Sequence, residues 1–437
     1  MTDTTVSTAG VEKAVERNYR WNFFVNVLDG ASFWLGMSFI SATVILPLYV
    51  SRFTDNPILI GLIPFIATSS YLIPQMFVAN WVERTPVKKF FPVTIGFFSE
   101  RLPIFLMAPL AYFLATSQPM LALLTFFLCF AWHGFGAGIV IVGWQDMIAK
   151  IIPIDKRGRF FGITNFLGNG TGILGALAVP FVLSRYGFPN GYVIAFTAAS
   201  IMIFLSWVFL SLTREPAVPS SKPPVSQIDY LRTLPEVLRK DRNFRMYLLA
   251  QIIYTLSGMA TGFLVVYTVQ TWNLTDAQAS GYTIALQVGL AVANLFFGFF
   301  SDRKGHKLSL EICLLLVTAV LVLAIVAPSP LWFFPVFFLR GAVNAGMFIS
   351  GISIVYEFTD ADNRPTYIGL ANTIPGIVGA IAPLIGGWMV GAISYRAMFI
   401  LAAVFGAIGW ALLRFTVREP RRITQPAEVV DPVPAGG

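Results

Sequence analysis

The chain has 437 residues, of which 56% are hydrophobic and only 12% charged, with 40 phenylalanines and a formal charge of +8. Soluble domains carry about 25% charged residues, and no soluble core absorbs so many apolar stretches long enough to cross a hydrocarbon layer of about 30 Å. Composition therefore excludes a string of soluble domains and points to an all-α polytopic protein whose first partner is the lipid bilayer.

Twelve apolar helices are predicted. A polar segment, 1–19, has neither the apolar stretch nor the cleavage site of a secretory signal. The first helix, 20–50, carries Asp29 about 14 Å along its axis by helical rise. The second, 57–81, runs into a charged turn, Ala79 to Lys89, with Glu83, Arg84, Pro86, Lys88 and Lys89. In the third, 90–114, Glu100 and Arg101 form a buried structural pair. Adjacent residues point about 100° apart on a helix, so each is expected to find a different partner. The fourth, 119–148, holds His133 and ends at Asp146; the fifth, 159–184, is rich in glycine; the sixth is 191–212.

Residues 213–245 form the one long interruption, with Pro216, Pro219, Pro223 and Pro224 and a helical-looking piece over 229–241. The seventh helix, 246–270, and the eighth, 277–300, follow. A second charged turn then reads Gly298-Phe-Phe-Ser-Asp302-Arg303-Lys304-Gly305-His306-Lys307. The ninth is 308–328, and the tenth, 331–357, holds Arg340 and ends at Glu357. The eleventh is 366–390 and the twelfth 396–415, before a Pro-, Ala- and Gly-rich tail expected to be disordered, 416–437.

The basic residues gather on one side. Lys88, Lys89, Lys150, Lys156, Arg157, Arg303, Lys304, Lys307 and the cluster from Arg232 to Arg245 all fall in alternate connections. This positive-inside pattern puts both termini in the cytoplasm of a cell (inner) membrane and makes the basic excess a matter of topology, with no nucleic-acid partner. Cys129 and Cys313 lie inside helices and supply neither a disulfide framework nor metal-ligand spacing. There is no nucleotide-binding loop or nucleophile elbow, so no enzyme, cofactor or metal is expected.

The halves on either side of the interruption, 20–212 and 246–415, repeat weakly. Asp155, Arg157, Gly162, Asn165 and Gly172 match Asp362, Arg364, Gly369, Asn372 and Gly379 in one register. Twelve helices in two halves, each with a charged turn after its second helix, resemble the major facilitator superfamily. Its signature, Gly-x-x-x-Asp-Arg/Lys-x-Gly-Arg/Lys-Arg/Lys, fits Gly298, Asp302, Arg303, Gly305 and Lys307, with His306 as a departure. The first copy keeps Arg84, Lys88 and Lys89 but has Ala79, Glu83 and Pro86 in place of Gly, Asp and Gly.

The resemblance implies two six-helix bundles that rock about a central substrate site, with the charged turns latching the halves in the outward-facing state. Asp146, Glu357 and Arg364 are the expected latch partners, and the small residue that opens the turn lets two helices approach closely. The first, fourth, seventh and tenth helices of this fold line the cavity, which makes Asp29, His133 and Arg340 the candidate proton and substrate residues. Charges at membrane depth cost about 2.5 kcal/mol or more and normally face a partner or a cavity. Asp29 is the candidate proton carrier. His133 is a relay, since imidazole titrates near neutral pH, and Arg340 an anion-binding group or the counter-charge of Asp29. The expectation is a monomeric, proton-coupled exporter of a small hydrophobic or amphipathic compound. Uptake of a polar or anionic solute is the alternative, and a non-transporting sensor on the same fold is the reading from a different class.

Overall fold

The computed structural model describes residues 8–153, 156–218, 238–358 and 364–420. The interruption over 219–237 and the tail from 421 onward lie outside them, as do Asp155 and Asp362. Among the described residues the chain is helical throughout, with no strand.

Eleven stretches are long and apolar enough to cross a membrane. The first helix, Thr8–Phe39, is not among them, because Asn22, Asn26 and Asp29 lower its apolar content. It packs between the fifth span, Arg157–Tyr186, and the sixth, Asn190–Ser211, and completes the twelve. It begins before residue 20 because Glu, Lys, Ala and Arg are good helix formers; polarity marks where the membrane starts, not where the helix does.

The first span also breaks where one continuous helix was expected. After Phe39 the chain turns and resumes as Ile45–Ser51. Pro47 has no N–H to offer the carbonyl four residues back, which places the break at Thr43. The seventh span breaks likewise. It runs as Arg242–Leu256, a 3₁₀ turn Ser257–Ala260, and Phe263–Trp272, with Gly258 and Gly262 at the joint. The third span opens with two π-helical turns, Phe91–Ile95 and Phe97–Arg101, before Leu102–Leu114. The widened turns end just before Pro103, whose missing N–H removes an ordinary helical bond.

The remaining spans are the second, Pro57–Arg84; the fourth, Pro119–Ile151; the eighth, Asp276–Ser280 continuing as Tyr282–Lys304; the ninth, His306–Val326; the tenth, Phe333–Glu357; the eleventh, Arg364–Ala392; and the twelfth, Tyr395–Thr416. Small residues let them touch backbone to backbone. A methyl group on Gly136 of the fourth span would overlap the Ser99 carbonyl of the third, and one on Gly138 would meet the Tyr71 carbonyl of the second.

The first six and last six spans meet along two seams, the second span against the eleventh and the fifth against the eighth. The contacts gather away from the charged turns. Gly61 abuts the Pro383 carbonyl, Gly387 abuts Pro57, and the outer pieces of the two broken spans touch. Toward the basic face, where the charged turns lie, Gly162 and Gly170 of the fifth span, Gly298 of the eighth and Gly351 of the tenth have open space over them. The contacts seen between the halves thus gather at the face opposite the charged turns.

Candidate functional site

Three groups of charged residues stand out: a buried cluster in the first six spans, Arg340 in the last six, and ion pairs at both faces.

In the first group, Asp29 accepts a 2.6 Å hydrogen bond from Ser206 of the sixth span. Its other polar neighbours are Trp144 and the side chains of Glu100 and Arg101. Glu100 and Arg101 pair with each other, contrary to the expectation from helical spacing. The π-helical turn that holds them places successive residues fewer degrees apart than an α-helix does, and burial leaves each little alternative. The His133 ring reaches across from the fourth span and sets Nδ1 2.9 Å from the Glu100 carbonyl oxygen. The cluster thus holds two carboxylates, one guanidinium and one imidazole, so a single guanidinium faces two potential negative charges. Asp29 lies seven residues beyond Asn22, which is bonded to Arg214 at the basic face. That places it about 10 Å in from this face.

Arg340 is not part of this cluster. It starts seven residues into the tenth span, about 10 Å from the opposite face by helical rise. Its Nη2 donates to Thr261 Oγ1 at 3.1 Å, in the break of the seventh span, and Tyr254 is its other polar neighbour. Among the described residues it forms no ion pair, and its buried Nε has no partner there. Asp29 and Arg340 therefore stand in different halves at different depths, and the counter-charge pairing does not occur.

At the basic face, Lys88 Nζ is 3.2 Å from Asp146 and also donates to the Val82 carbonyl at 2.5 Å. His306 Nε2 lies 3.9 Å from Glu357, with Nδ1 3.5 Å from Ser350 Oγ. Lys307 pairs with Glu311 at 2.7 Å, and Arg414 approaches the same carboxylate at 3.4 Å. Arg84 and Arg303 are exposed. Gly305 has φ +96°, a conformation that glycine adopts without strain. The close approach expected at Gly298 is not made in this conformation. The side chains of Glu83, Asp302 and Arg364 lie outside the described residues. An open groove of about 480 Å³ follows the basic half of the eighth span, lined by Leu295, Phe296, Phe299 and Phe300, with Arg303 and Lys304 at its end.

Sequence reasoning missed Glu215, whose side chain is fully buried. It accepts from the backbone N–H of Lys88 at 2.9 Å and of Lys89 at 2.7 Å, and pairs with Lys150 at 2.7 Å. Burial pulls the Lys89 ammonium below the ordinary lysine range, and Glu215 partly offsets this. The signal was present as a repeat, Arg214-Glu215-Pro216 after the sixth span and Arg418-Glu419-Pro420 after the twelfth. Asn22 exchanges two hydrogen bonds with the Arg214 backbone, and Asn243 does the same with Arg418. Glu419 lies over Gly305 as Glu215 lies over the first turn. A further group was also missed, at the opposite face. Arg52 of the first span grips Asp276 of the eighth through Nε at 2.7 Å and Nη2 at 2.6 Å, and Tyr192 of the sixth donates to the same carboxylate at 2.7 Å. This bidentate pair ties the two halves together where they are closed.

Comparison with known proteins agrees with this architecture. The family described as Major Facilitator Superfamily matches residues 23–269 and 247–435. The uncharacterized MFS-type transporter MJ1317 of Methanocaldococcus jannaschii is 23% identical over 420 residues, 94% of this chain and 99% of that protein. The multidrug resistance protein MdtL of Salmonella schwarzengrund is 27% identical over 150 residues, 34% of this chain and 38% of that one. Among solved structures, a D-xylose–proton symporter superposes with a TM-score of 0.66 at 14% identity, over 92% of this chain and 99% of the other.

Proposed function

Because the chain belongs to the major facilitator superfamily, we propose that it is a secondary transporter that exports a small hydrophobic or amphipathic compound against inward proton flow. Its halves rock about a site between them. The observation that carries proton coupling is the buried cluster around Asp29, where one guanidinium serves two carboxylates. A proton on Asp29 leaves the cluster electrically neutral, and its release leaves one uncompensated charge, which is costly at this depth. Ser206 holds the Asp29 carboxylate, and the His133–Glu100 contact makes His133 the group through which helix position and protonation communicate. Export is supported by the likeness to a multidrug resistance protein over part of the chain. A second reading, uptake of a polar or anionic solute, rests on Arg340.

The basic face is the cytoplasmic one, by the positive-inside rule, and the protein works as a monomer in the inner membrane. With the opposite face closed, the conformation is inward-facing. Lys88–Asp146, Glu357 and the signature turn at Asp302 to Lys307 form the latch that engages when the halves close on the cytoplasmic side.

Efflux of a lipophilic dye from cells expressing the protein tests this reading. Asp29→Asn and a protonophore are each expected to cut efflux at least tenfold; proton-driven efflux that persists in Asp29→Asn removes Asp29 as the carrier. Asp302→Asn is expected to insert normally and transport poorly. Wild-type rates in that variant count against the latch.

A further inference from the structure

We infer that Arg340 anchors a subsite for one anionic group, a carboxylate or sulfonate, on an otherwise apolar substrate. The inference deepens the transport reading and rests on it. Two other arginines of this molecule, one buried and one partly exposed, show what a structural guanidinium looks like. Arg101 is paired with Glu100, and Arg52 is gripped by both oxygens of Asp276. Arg340 has only neutral oxygens beside it, Thr261 Oγ1 and Tyr254, and no ion pair to any described carboxylate. A guanidinium offers five N–H donors; here the Thr261 and Tyr254 oxygens are its neighbours, and the buried Nε is unpartnered, as is that of Arg101, so the missing carboxylate is what sets Arg340 apart.

An uncompensated cation inside the membrane is costly and normally faces a partner or a cavity. Its position suits a ligand. The tenth span packs chiefly on the eighth and ninth, and Arg340 reaches across to the break of the seventh. Counted from the basic face it lies deep in its bundle, about 10 Å short of the opposite face. The planar fork matches a carboxylate with two parallel hydrogen bonds. Neighbouring positions on the two spans, Met259, Phe263, Phe337 and Val343, are apolar and packed in the core, so the guanidinium has apolar surroundings and a mostly apolar ligand suits them.

The test uses full-length protein in lipid nanodiscs and two probes that differ only in charge, benzoate and benzamide, with binding measured by calorimetry. Saturable benzoate binding that exceeds benzamide binding at least tenfold in the wild type, and falls at least tenfold in Arg340→Gln, supports the subsite. Equal binding of the two probes, no saturable binding of either, or unchanged benzoate affinity in Arg340→Gln overturns it. If Arg340→Gln does not fold, Arg340→Lys is read instead. It keeps the charge and loses the fork, and should lose benzoate affinity severalfold with benzamide unaffected; unchanged benzoate affinity there also overturns it. A stability readout separates binding from scaffolding. Without ligand, Arg340→Met should melt at the same temperature as the wild type or higher, whereas a lower midpoint would mark a structural arginine. Benzoate binding by the wild type with no proton-driven dye efflux would count against the transport reading and not against this subsite.

Discussion

At the scale of single residues, the buried charges divide by what they hold. Glu215 holds a turn: its carboxylate takes two backbone N–H groups and an ammonium, with its side chain fully buried. Removing one partner of a buried charge network costs about 3–5 kcal/mol. Glu215→Ala is therefore expected to lower the thermal midpoint of the purified protein by several degrees, and a midpoint equal to the wild type would show that the clasp contributes nothing. Asp29 differs, with one hydroxyl donor and a neighbouring ion pair that Glu100 already occupies. Asp29→Asn keeps the hydrogen bond from Ser206 and removes the charge, so it should leave stability intact while abolishing the response to pH.

At the scale of elements, the stretches that depart from regular helix supply partners to the candidate residues. The π-helical turns of the third span bring Glu100 beside Arg101 and offer the Glu100 carbonyl to His133. The break in the seventh supplies Thr261 to Arg340. Regular helices and small residues hold these irregular pieces in place. Gly136 admits the Ser99 carbonyl at a distance that no side chain tolerates, so Gly136→Ala must push the third and fourth spans apart. Overpacking of this kind costs about 1–3 kcal/mol. The variant is expected to melt lower than the wild type and to lose transport through displacement of Glu100 and His133. Wild-type melting would mean that the two spans separate freely.

For the whole molecule, the two faces are held by different means. The basic face relies on ion pairs made largely within each half, Lys88–Asp146, Lys150–Glu215 and Lys307–Glu311. The opposite face has a pair that crosses between halves, Arg52–Asp276. Arg52 is 42% exposed on its side chain, so the pair is partly screened. Its loss is worth about 1–2 kcal/mol by the scale of charged hydrogen bonds, roughly a 5- to 30-fold shift between states. Asp276→Asn should move the population toward a form open at that face, seen as greater reactivity of a cysteine placed at Pro57 or Gly391 toward a membrane-impermeant thiol reagent. Unchanged reactivity would show that the packed second and eleventh spans hold that face shut without the pair.

The sequence by itself determined the membrane class, the twelve spans, the duplication and the place of both charged turns. Those properties follow from apolar length, basic asymmetry and local motif, all of which are local along the chain. Helix breaks were written in Pro47, Gly258 and Gly262, yet a proline or glycine in a membrane helix kinks it only where the neighbours satisfy the freed groups, and neighbours are not local. Only the tertiary structure decided which charges meet. It joined Glu100 to Arg101, placed Asp29 against Ser206 from 177 residues away, and linked Arg52 to Asp276 across the two halves. It also kept Asp29 and Arg340 apart, in different halves and at different depths. The physical reason is that a buried charge takes the nearest group able to neutralise or solvate it, and nearness across helices is set by packing, which the order of residues alone does not state.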